Sequence, residues 1–245
     1  MTRAASSTRP PEIHSVWAAA LQATAAVARQ GNSSEADVLR AVTEGFRRLN
    51  LRGSVTMLRS DGRLEVRTRA VSPAVETTLR RLTGLEITGY QFDPHDVPAY
   101  LDVLQTGRAH FQRSGAPIIG QMMPAALRPL LPRIVHLLGD HPVVYAPLLL
   151  SGRTLGILNV TAHWLTPDDV PMVAALADHV AIALDHVAGQ AEMRLALERE
   201  RMRNLVAETL ASAHAMPDVL RQVIDLAVRM TGADAGGIIL VDRHG

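Results

Sequence analysis

The side chains in this sequence that could do chemistry are mainly histidines and arginines, because it contains neither cysteine nor lysine. Without cysteine there is no disulfide, thiolate nucleophile, iron–sulfur ligand or covalent thioether link to a chromophore. Without lysine there is no Schiff base and no phosphate-loop lysine. No nucleophile–base pair, carboxylate pair or kinase signature replaces them. We therefore predict that the chain is not an enzyme, and that an enzymatic output, such as a histidine kinase or nucleotide cyclase, would lie beyond residue 245.

The ten histidines raise the question of a metal ion or a haem. His179 and His186 lie seven residues apart on a predicted helix. That spacing is about two helical turns, so the two side chains cannot chelate one ion directly, and we expect no metal site. A haem needs only one axial histidine, so haem stays an alternative, with three possible ligands: His95, His110 and His136.

One segment, Gly84–Leu138, carries other side chains that could hold a ligand. Its arginines could gather round an anion, since guanidinium groups suit carboxylate and phosphate; they are Arg108, Arg113, Arg128 and Arg133. Met122 and Met123 could line an adaptable apolar pocket. Solvated arginines and ordinary core packing are the alternative interpretations.

Composition indicates an ordinary globular chain, with 245 residues, 47% hydrophobic and 20% charged. The net charge is +1 with both signs mixed along the chain, so nucleic-acid binding is not expected. No apolar run reaches the length of a membrane span, and the first residues lack a signal-peptide core. We therefore expect a cytoplasmic protein.

Hydrophobic periodicity predicts two helices, then a hairpin, in the first part of the chain. Residues 1–11 are expected to be disordered, and Val16–Arg29 to be the first helix. Ser34, with an acidic residue three positions later, is expected to cap the second helix, which ends near Asn50. The hairpin strands are predicted at Ser54–Leu58 and Leu64–Thr68.

The later pattern predicts short helices, an irregular loop and two internal strands. The loop is Gly84–Pro98, and Thr166 is expected to cap the closing helix. The predicted helices are Val75–Leu82, Ala99–Thr106, one or two segments in Met122–Leu138 broken by prolines, and Val170–Val187. The predicted strands are Ala109–Phe111, Val143–Leu150 and Leu155–Thr161, the last two in the middle of the sheet because they are apolar on both faces.

Beyond the closing helix, apolar positions alternate steps of four and three residues, as in a heptad repeat. These positions are Leu184, Ala188, Ala191, Leu195, Met202 and Leu205, and the polar Glu198 fills the remaining position of the series between Leu195 and Met202. We predict a signalling helix that forms a parallel dimeric coiled coil, which makes the protein a homodimer. A single exposed amphipathic helix is the alternative.

The chain then begins to repeat its own pattern. Asp37–Val42 returns as Asp218–Val223, and the strand Ser54–Leu58 returns as Gly237–Val241. We predict a complete domain at 12–187, a linker helix at 188–204 and the start of a second, incomplete domain at 205–245. The sequence would then be a piece of a longer multidomain protein.

The order of elements over residues 12–187 resembles the GAF domain, a relative of PAS domains. The resemblance is strongest at five short segments: Ala146–Leu150, Gly152, Leu155–Leu158, Leu165–Asp169 and Leu176–Leu184. Gly152 and Gly156 are expected to allow a tight turn and a close helix approach. The resemblance implies an α+β fold with a central antiparallel sheet. It places the N- and C-terminal helices on one face, variable loops and short helices on the other, and a long linker helix after them.

GAF domains are generally sensory or dimerisation modules of signalling proteins, which hold ligands between the sheet and the variable side. The resemblance therefore implies a module that binds a small molecule or a partner and transmits the change through its C-terminal helix. The expected ligand-binding residues are Tyr90, Phe92, His95, Asp96, Tyr100, His110, Met122, Met123, Arg128 and Tyr145. A ligand-free dimerisation scaffold is the alternative.

One short segment is similar to a motif of phytochrome chromophore domains. Asp96-Val97-Pro98 matches their Asp-Ile-Pro motif, but the cysteines that attach a bilin covalently are missing. A non-covalently bound bilin therefore joins haem as a third possibility. The simpler interpretation is a proline-stiffened loop in which Asp96 caps the next helix.

Overall fold

The computed structural model describes residues 33–211 and 216–239, together with Ala18 and Gln22. The lead-in predicted at 1–11 lies outside these residues, as does nearly all of the helix predicted at Val16–Arg29. The chain divides into two compact units, Met1–Ala188 and Gly189–Gly245.

The first unit is built on a six-stranded antiparallel sheet with the strand order β3-β2-β1-β6-β5-β4. The strands are β1 (Arg52–Leu58), β2 (Leu64–Ala70), β3 (Gln91–Phe92), β4 (His110–Gln112), β5 (Val143–Leu150) and β6 (Arg153–Thr161). The two apolar strands, β5 and β6, are internal because each has a neighbour on both sides. This confirms the fold class and the internal position predicted for them.

Two helices cover one face of the sheet, α1 (Glu35–Arg48) and the first part of α6 (Val170–Ala211). Ser34 caps α1 as predicted, because its hydroxyl accepts from the Asp37 amide at 3.3 Å while its own amide donates to the Asp37 carboxylate at 2.9 Å. Thr166 and Asp169 form the same kind of capping box before α6. The buried side chains of both helices meet the sheet in one core.

Gly156 permits a close approach between strands, so the prediction of a close helix approach there is wrong. A Cβ at this position would collide with the carbonyl oxygen of Thr56 on β1. Gly152 does form the tight turn between β5 and β6, where its φ of +78° suits a residue without a side chain.

Short helices cover the other face, namely α2 (Pro73–Thr83), α3 (Pro98–Thr106), α4 (Ala116–Met122) and α5 (Leu131–Leu138). A 3₁₀ turn at Ala125–Leu130 joins the last two. The prediction began its helix at Met122 and missed α4, which ends there, just before Pro124. Asp96 does not cap α3; Asp93 caps the preceding turn through the His95 amide at 2.8 Å, and α3 has no side-chain cap.

Helix α6 runs without interruption through the closing helix predicted at Val170–Val187 and the linker helix predicted at 188–204, and it ends at Ala211. Helix α7 (Met216–Thr231) follows in the second unit. Of the strand predicted at Gly237–Val241, the three described residues are not in a strand, and the last two lie outside the described residues. Residues 167–208 form the one described helix that is long and apolar enough to cross a membrane, and its most apolar stretch of 18 residues has a mean hydropathy of 1.4. Because 44% of that stretch is buried inside the protein, packing in the core explains many of its apolar side chains.

Candidate functional site

A cavity of about 200 Å³ lies between the sheet and the short helices of the variable side. Its walls are mainly apolar, and its lining includes side chains from α2, α4 and α5, such as Leu79, Ile118, Ile119, Met122, Ile134 and Leu138. Its floor is the face of the sheet opposite to α1 and α6. Because the walls are apolar, the few polar groups on the floor decide what the cavity can bind.

The polar floor is a row of residues that runs across four strands. Arg69 on β2 pairs with Ser54 on β1, Ser54 pairs with Asn159 on β6, and Asn159 pairs with Tyr145 on β5. Directly paired residues in an antiparallel sheet project on the same side. Arg52 lies two positions before Ser54 and so shares this face. All five line the cavity.

Asn159 holds the centre of this row with its side-chain amide. Its Oδ1 accepts from the Ser54 amide at 2.9 Å, and its Nδ2 donates to Ser54 Oγ at 2.6 Å. The same Nδ2 donates to the Tyr100 hydroxyl of α3 at 3.1 Å. Asn159 therefore ties two strands and a covering helix together at the cavity floor.

Two buried tyrosines bring their hydroxyl groups to the cavity. Tyr100 is 1% exposed and Tyr145 is 2% exposed, and their rings meet edge to face with centroids 5.2 Å apart. Burial raises the pKa of Tyr100 to about 12 and also raises the pKa of Tyr145. Both phenols are therefore protonated at neutral pH and act as hydrogen-bond donors rather than as negative charges.

Two arginines bring positive charge to the same floor. Burial lowers the pKa of Arg69 to about 10, an effect that Glu76 partly offsets, and burial also lowers the pKa of Arg52. Arg52 donates to the carbonyl oxygen of Leu138. The Arg69 side chain makes no hydrogen bond or salt bridge with any residue that the structure describes. Among the described residues that line the cavity there is no aspartate or glutamate.

His141 and Tyr90 complete the polar rim. Burial lowers the pKa of His141, and the nearby positive charge of Arg52 lowers it further. The Tyr90 hydroxyl donates to the Met122 carbonyl oxygen at 2.8 Å, which joins the segment before β3 to the end of α4. Tyr90 and Met122 also line a second pocket, so this contact lies where the cavity and the second pocket adjoin.

Half of the predicted ligand-binding residues line the cavity: Tyr90, Tyr100, Met122, Met123 and Tyr145. Phe92, Asp96 and Arg128 line the second pocket instead. His95 is exposed and bonds Asp93 at 2.7 Å, while His110 is exposed on the edge strand β4. The arginines predicted to gather round an anion do not line the cavity; all four are exposed, namely Arg108, Arg113, Arg128 and Arg133.

Sequence reasoning missed five polar lining residues, namely Arg52, Ser54, Arg69, Asn159 and His141. A signal was present, because Arg52 and Ser54 share one face of β1 by their spacing of two. Asn159 is also a polar residue within an apolar strand.

The cavity by itself is small for a haem or a bilin. Its volume of about 200 Å³ is below the roughly 300–1,000 Å³ of common ligand and cofactor sites. None of the three proposed axial histidines, His95, His110 and His136, lines it, although His141 does. Within residues 33–211 and 216–239, no three histidine, aspartate or glutamate side chains are grouped as a metal ion would need.

The residues predicted for the signalling helix fall into two groups. Leu184 is 6% exposed and belongs to the core, so it is not available to a dimer seam. The later positions are exposed: Ala188, Ala191, Leu195, Met202 and Leu205. Among them Leu195 is 52% exposed and Met202 is 38% exposed, so large apolar groups of α6 face solvent.

Comparisons with known proteins give matches in structure alone. No protein-family model matches the sequence, and no curated protein matches it. A bacteriophytochrome from the photosynthetic bacterium R. palustris superposes with a TM-score of 0.59 at 12% identity, over 94% of this chain and 48% of that one. The phytochrome photosensory core module of Stigmatella aurantiaca gives 0.56 at 12% identity, over 92% and 47%.

A single domain gives a similar match. The phycoerythrobilin-bound GAF domain of a cyanobacterial phytochrome has a TM-score of 0.51 at 16% identity, over 71% of this chain and 97% of that one. The present chain spans about half the length of the first two proteins. Its sheet order and helix placement, with these superpositions, show that the chain has the GAF fold.

Proposed function

We propose that this chain is a sensory module of a signalling protein, which binds a small molecule in the cavity and transmits the change through α6. The observation that carries the proposal is that one sheet forms both the cavity floor and the support of α6. A molecule that alters the position of the strands therefore alters the surface on which α6 rests.

Strand β5 illustrates this coupling residue by residue. Tyr145 lines the cavity, whereas its neighbours Val144 and Ala146 lie in the core that contains α6. On β6, Asn159 lines the cavity, while Leu158 and Val160 belong to that same core. Successive residues of these two internal strands therefore face the cavity and the core around α6 in turn. A displacement of either strand acts on both sides of the sheet.

The buried face of α6 is suited to respond to small displacements. It packs small residues against the sheet, with Ala177 and Ala181 both fully buried. Close-packed surfaces of this kind have few intermediate arrangements, so a small shift changes which of two arrangements is favoured. The superposition on a photosensory core module, with the continuous course of α6, also supports a role in signal transmission.

The test is a binding screen with a blocked cavity. A library of fragments with about ten non-hydrogen atoms is screened by ligand-observed NMR against the parent protein, Ile118→Phe and Leu58→Trp. Ile118 is buried in the cavity wall, so the larger ring fills the cavity, whereas Leu58 is exposed on β1 and serves as the control. Circular dichroism checks that both variants fold.

We expect fragments that bind the parent and Leu58→Trp but not Ile118→Phe. Those fragments should also slow hydrogen exchange in the part of α6 within residues 170–187. The proposal is wrong if no fragment distinguishes the variants, or if binding leaves exchange in α6 unchanged.

A dimerisation scaffold is the second candidate, supported by the exposed apolar side chains of α6 beyond Gly189. Leu195 and Met202 lie seven residues apart and Val206 four further on, so these three share one face of the helix. A coiled coil with a second copy would bury them. This role is compatible with a bound ligand, because the cavity belongs to the first unit and these exposed side chains to the second.

A further inference from the structure

We propose that the cavity binds a small carboxylate with an apolar body, whose carboxylate group is held by Arg69 and by the hydroxyls of Tyr100 and Tyr145. This inference deepens the proposed function and rests on it. It concerns the chemical class of the ligand, which the fold leaves open.

The first argument is that the charged side chains on the cavity floor are positive. The charged lining residues are Arg52 and Arg69, and none of the described residues that line the cavity is acidic. Glu76, which is not among the lining residues, acts on Arg69 through its charge but forms no salt bridge with it. The two guanidinium groups are close enough for the charge of Arg52 to lower the pKa of Arg69. Two like charges in a mostly apolar cavity are unfavourable until an anion joins them. The cavity is therefore suited to an anion and unsuited to a cation.

The second argument is that donors on this floor have no acceptor. The Arg69 side chain forms no hydrogen bond or salt bridge with any described residue. The Tyr145 hydroxyl, on a residue only 2% exposed, likewise has no hydrogen-bond partner among the described residues. The Tyr100 hydroxyl accepts from Asn159, which leaves its own hydrogen to donate. Because these residues line the cavity, an acceptor that binds there would supply the hydrogen-bond partner that the described protein groups do not.

The number and kind of the donors favour a carboxylate over a phosphate. Arg69 offers a planar fork of two parallel N–H groups, and the two phenols add one O–H each. These donors match the four lone-pair sites of a carboxylate. A dianionic phosphate would bring more charge into apolar walls than this set of donors can satisfy.

The walls of the cavity determine the polarity and the size of the remainder of the ligand. Beyond the polar row the cavity is lined by aliphatic and thioether side chains, including Leu79, Ile118 and Met122. A volume of about 200 Å³ corresponds to roughly seven water-sized groups, or about ten bonded non-hydrogen atoms. The ligand is thus a small aromatic or aliphatic acid.

The test compares acids with neutral molecules of the same size. Phenylacetate and octanoate are titrated into the protein by calorimetry, each beside its own amide, and phenylphosphonate tests the alternative head group. We expect at least one acid to bind about tenfold more tightly than its amide and than phenylphosphonate. An amide that binds as well as its acid, or a phosphonate that binds better, overturns the proposal.

Variants then locate the head group. Arg69→Met should weaken binding of the acid about tenfold or more, and Tyr145→Phe by several-fold, because each removes donors to the carboxylate. Arg69→Lys keeps the charge but loses the fork, so it should fall between the parent and Arg69→Met. Arg108→Met makes the same charge change at an exposed site outside the cavity and should bind like the parent.

The outcomes separate this proposal from the proposed function. If fragments bind only when the cavity is open but acids show no preference, the carboxylate assignment is wrong and the sensory cavity remains. If acids bind equally to the parent, Arg69→Met and Arg108→Met, they bind elsewhere and the assignment is again wrong. The proposal is also overturned if none of the tested acids binds at millimolar concentration.

Discussion

Arg69 and Tyr145 occupy the same cross-strand row of the sheet, on β2 and β5, with Ser54 and Asn159 between them. The two inner residues satisfy each other through hydrogen bonds of 2.6 and 2.9 Å. Neither outer side chain has a hydrogen-bond partner among the described residues. The row therefore combines a fixed centre with two side chains whose donors are free, as the proposed binding site requires.

Replacing Arg69 should make the ligand-free protein more stable. Burial disfavours the charged form of this side chain, as its lowered pKa shows. An apolar side chain of similar length avoids that cost. We expect Arg69→Met to raise the free energy of unfolding by about 1 kcal/mol, or Tm by roughly 2–4 °C, in thermal unfolding without ligand.

Arg108→Met is the matched control for this gain, because Arg108 is exposed and outside the cavity. Its Tm should stay within about 1 °C of the parent value. If Arg69→Met is less stable than the parent by as much as a core mutant, Arg69 stabilises the fold and the interpretation of an unpaired binding residue fails.

Replacing Asn159 should have the opposite effect on stability. Asn159→Leu keeps the volume but leaves the Ser54 amide without its acceptor and the Tyr100 hydroxyl without its donor. Loss of partners for buried groups costs about 2 kcal/mol, which corresponds to a fall of roughly 4–8 °C in Tm. Urea unfolding of Asn159→Leu and Tyr100→Phe measures it, and Tyr100→Phe should lose less because the Ser54 bonds remain. Equal stability of Asn159→Leu and the parent would contradict the structural role of the row.

The sequence predicted the sheet well because its strands and their turns have strong local signals. The apolar runs of β5 and β6 and the capping residues Ser34 and Thr166 act over a few residues, so they can be read without the fold. Helix α4 was missed because its sequence, Ala116–Met122, is short and contains a proline and a glycine. Such a segment becomes helical because it packs on the sheet, and tertiary packing is not visible in local propensity.

The cavity was only half predictable for a related reason. Tyr90 and Met122 both lie in Gly84–Leu138. The resemblance to the GAF domain identifies this segment as the variable side, and it therefore predicts them as lining residues. Arg69 and Asn159 are far apart in sequence and meet only through the strand order β2-β1-β6. The register that places them in one row depends on all three strands together, and no local pattern specifies it.

Stability should fall on acidification because of His141. Its pKa is lowered in the folded protein by burial and by Arg52, while the unfolded chain titrates near pH 6.5. Between these two pKa values the unfolded state binds more protons, so the free energy of unfolding rises with pH. The stabilising difference is present above about pH 6.5 and is lost as pH falls towards the folded-state pKa.

The variant His141→Gln removes this titration and should flatten the dependence of Tm on pH between about 5 and 7. His136→Gln, an exposed histidine on α5, is measured in parallel so that the general effect of losing one histidine can be subtracted. The prediction fails if His141→Gln retains the full slope after that subtraction. Because His141 lines the cavity, an added anion should also reduce the slope by favouring its charged form.

The proposed dimer is expected to use one particular face of α6, and the helix itself supplies the control. Leu195→Asp with Met202→Asp places charges on the face predicted to meet a second copy, so light scattering should show a monomer. Met193→Asp with Leu197→Asp makes the same two kinds of change on the opposite face, where both residues are also exposed, and should leave the dimer intact. If both double variants are monomeric, apolar contact in general holds the copies together and the specific face is wrong. If the first double variant stays dimeric, this helix does not form the interface, and the output of the cavity must then leave α6 as a change within one chain.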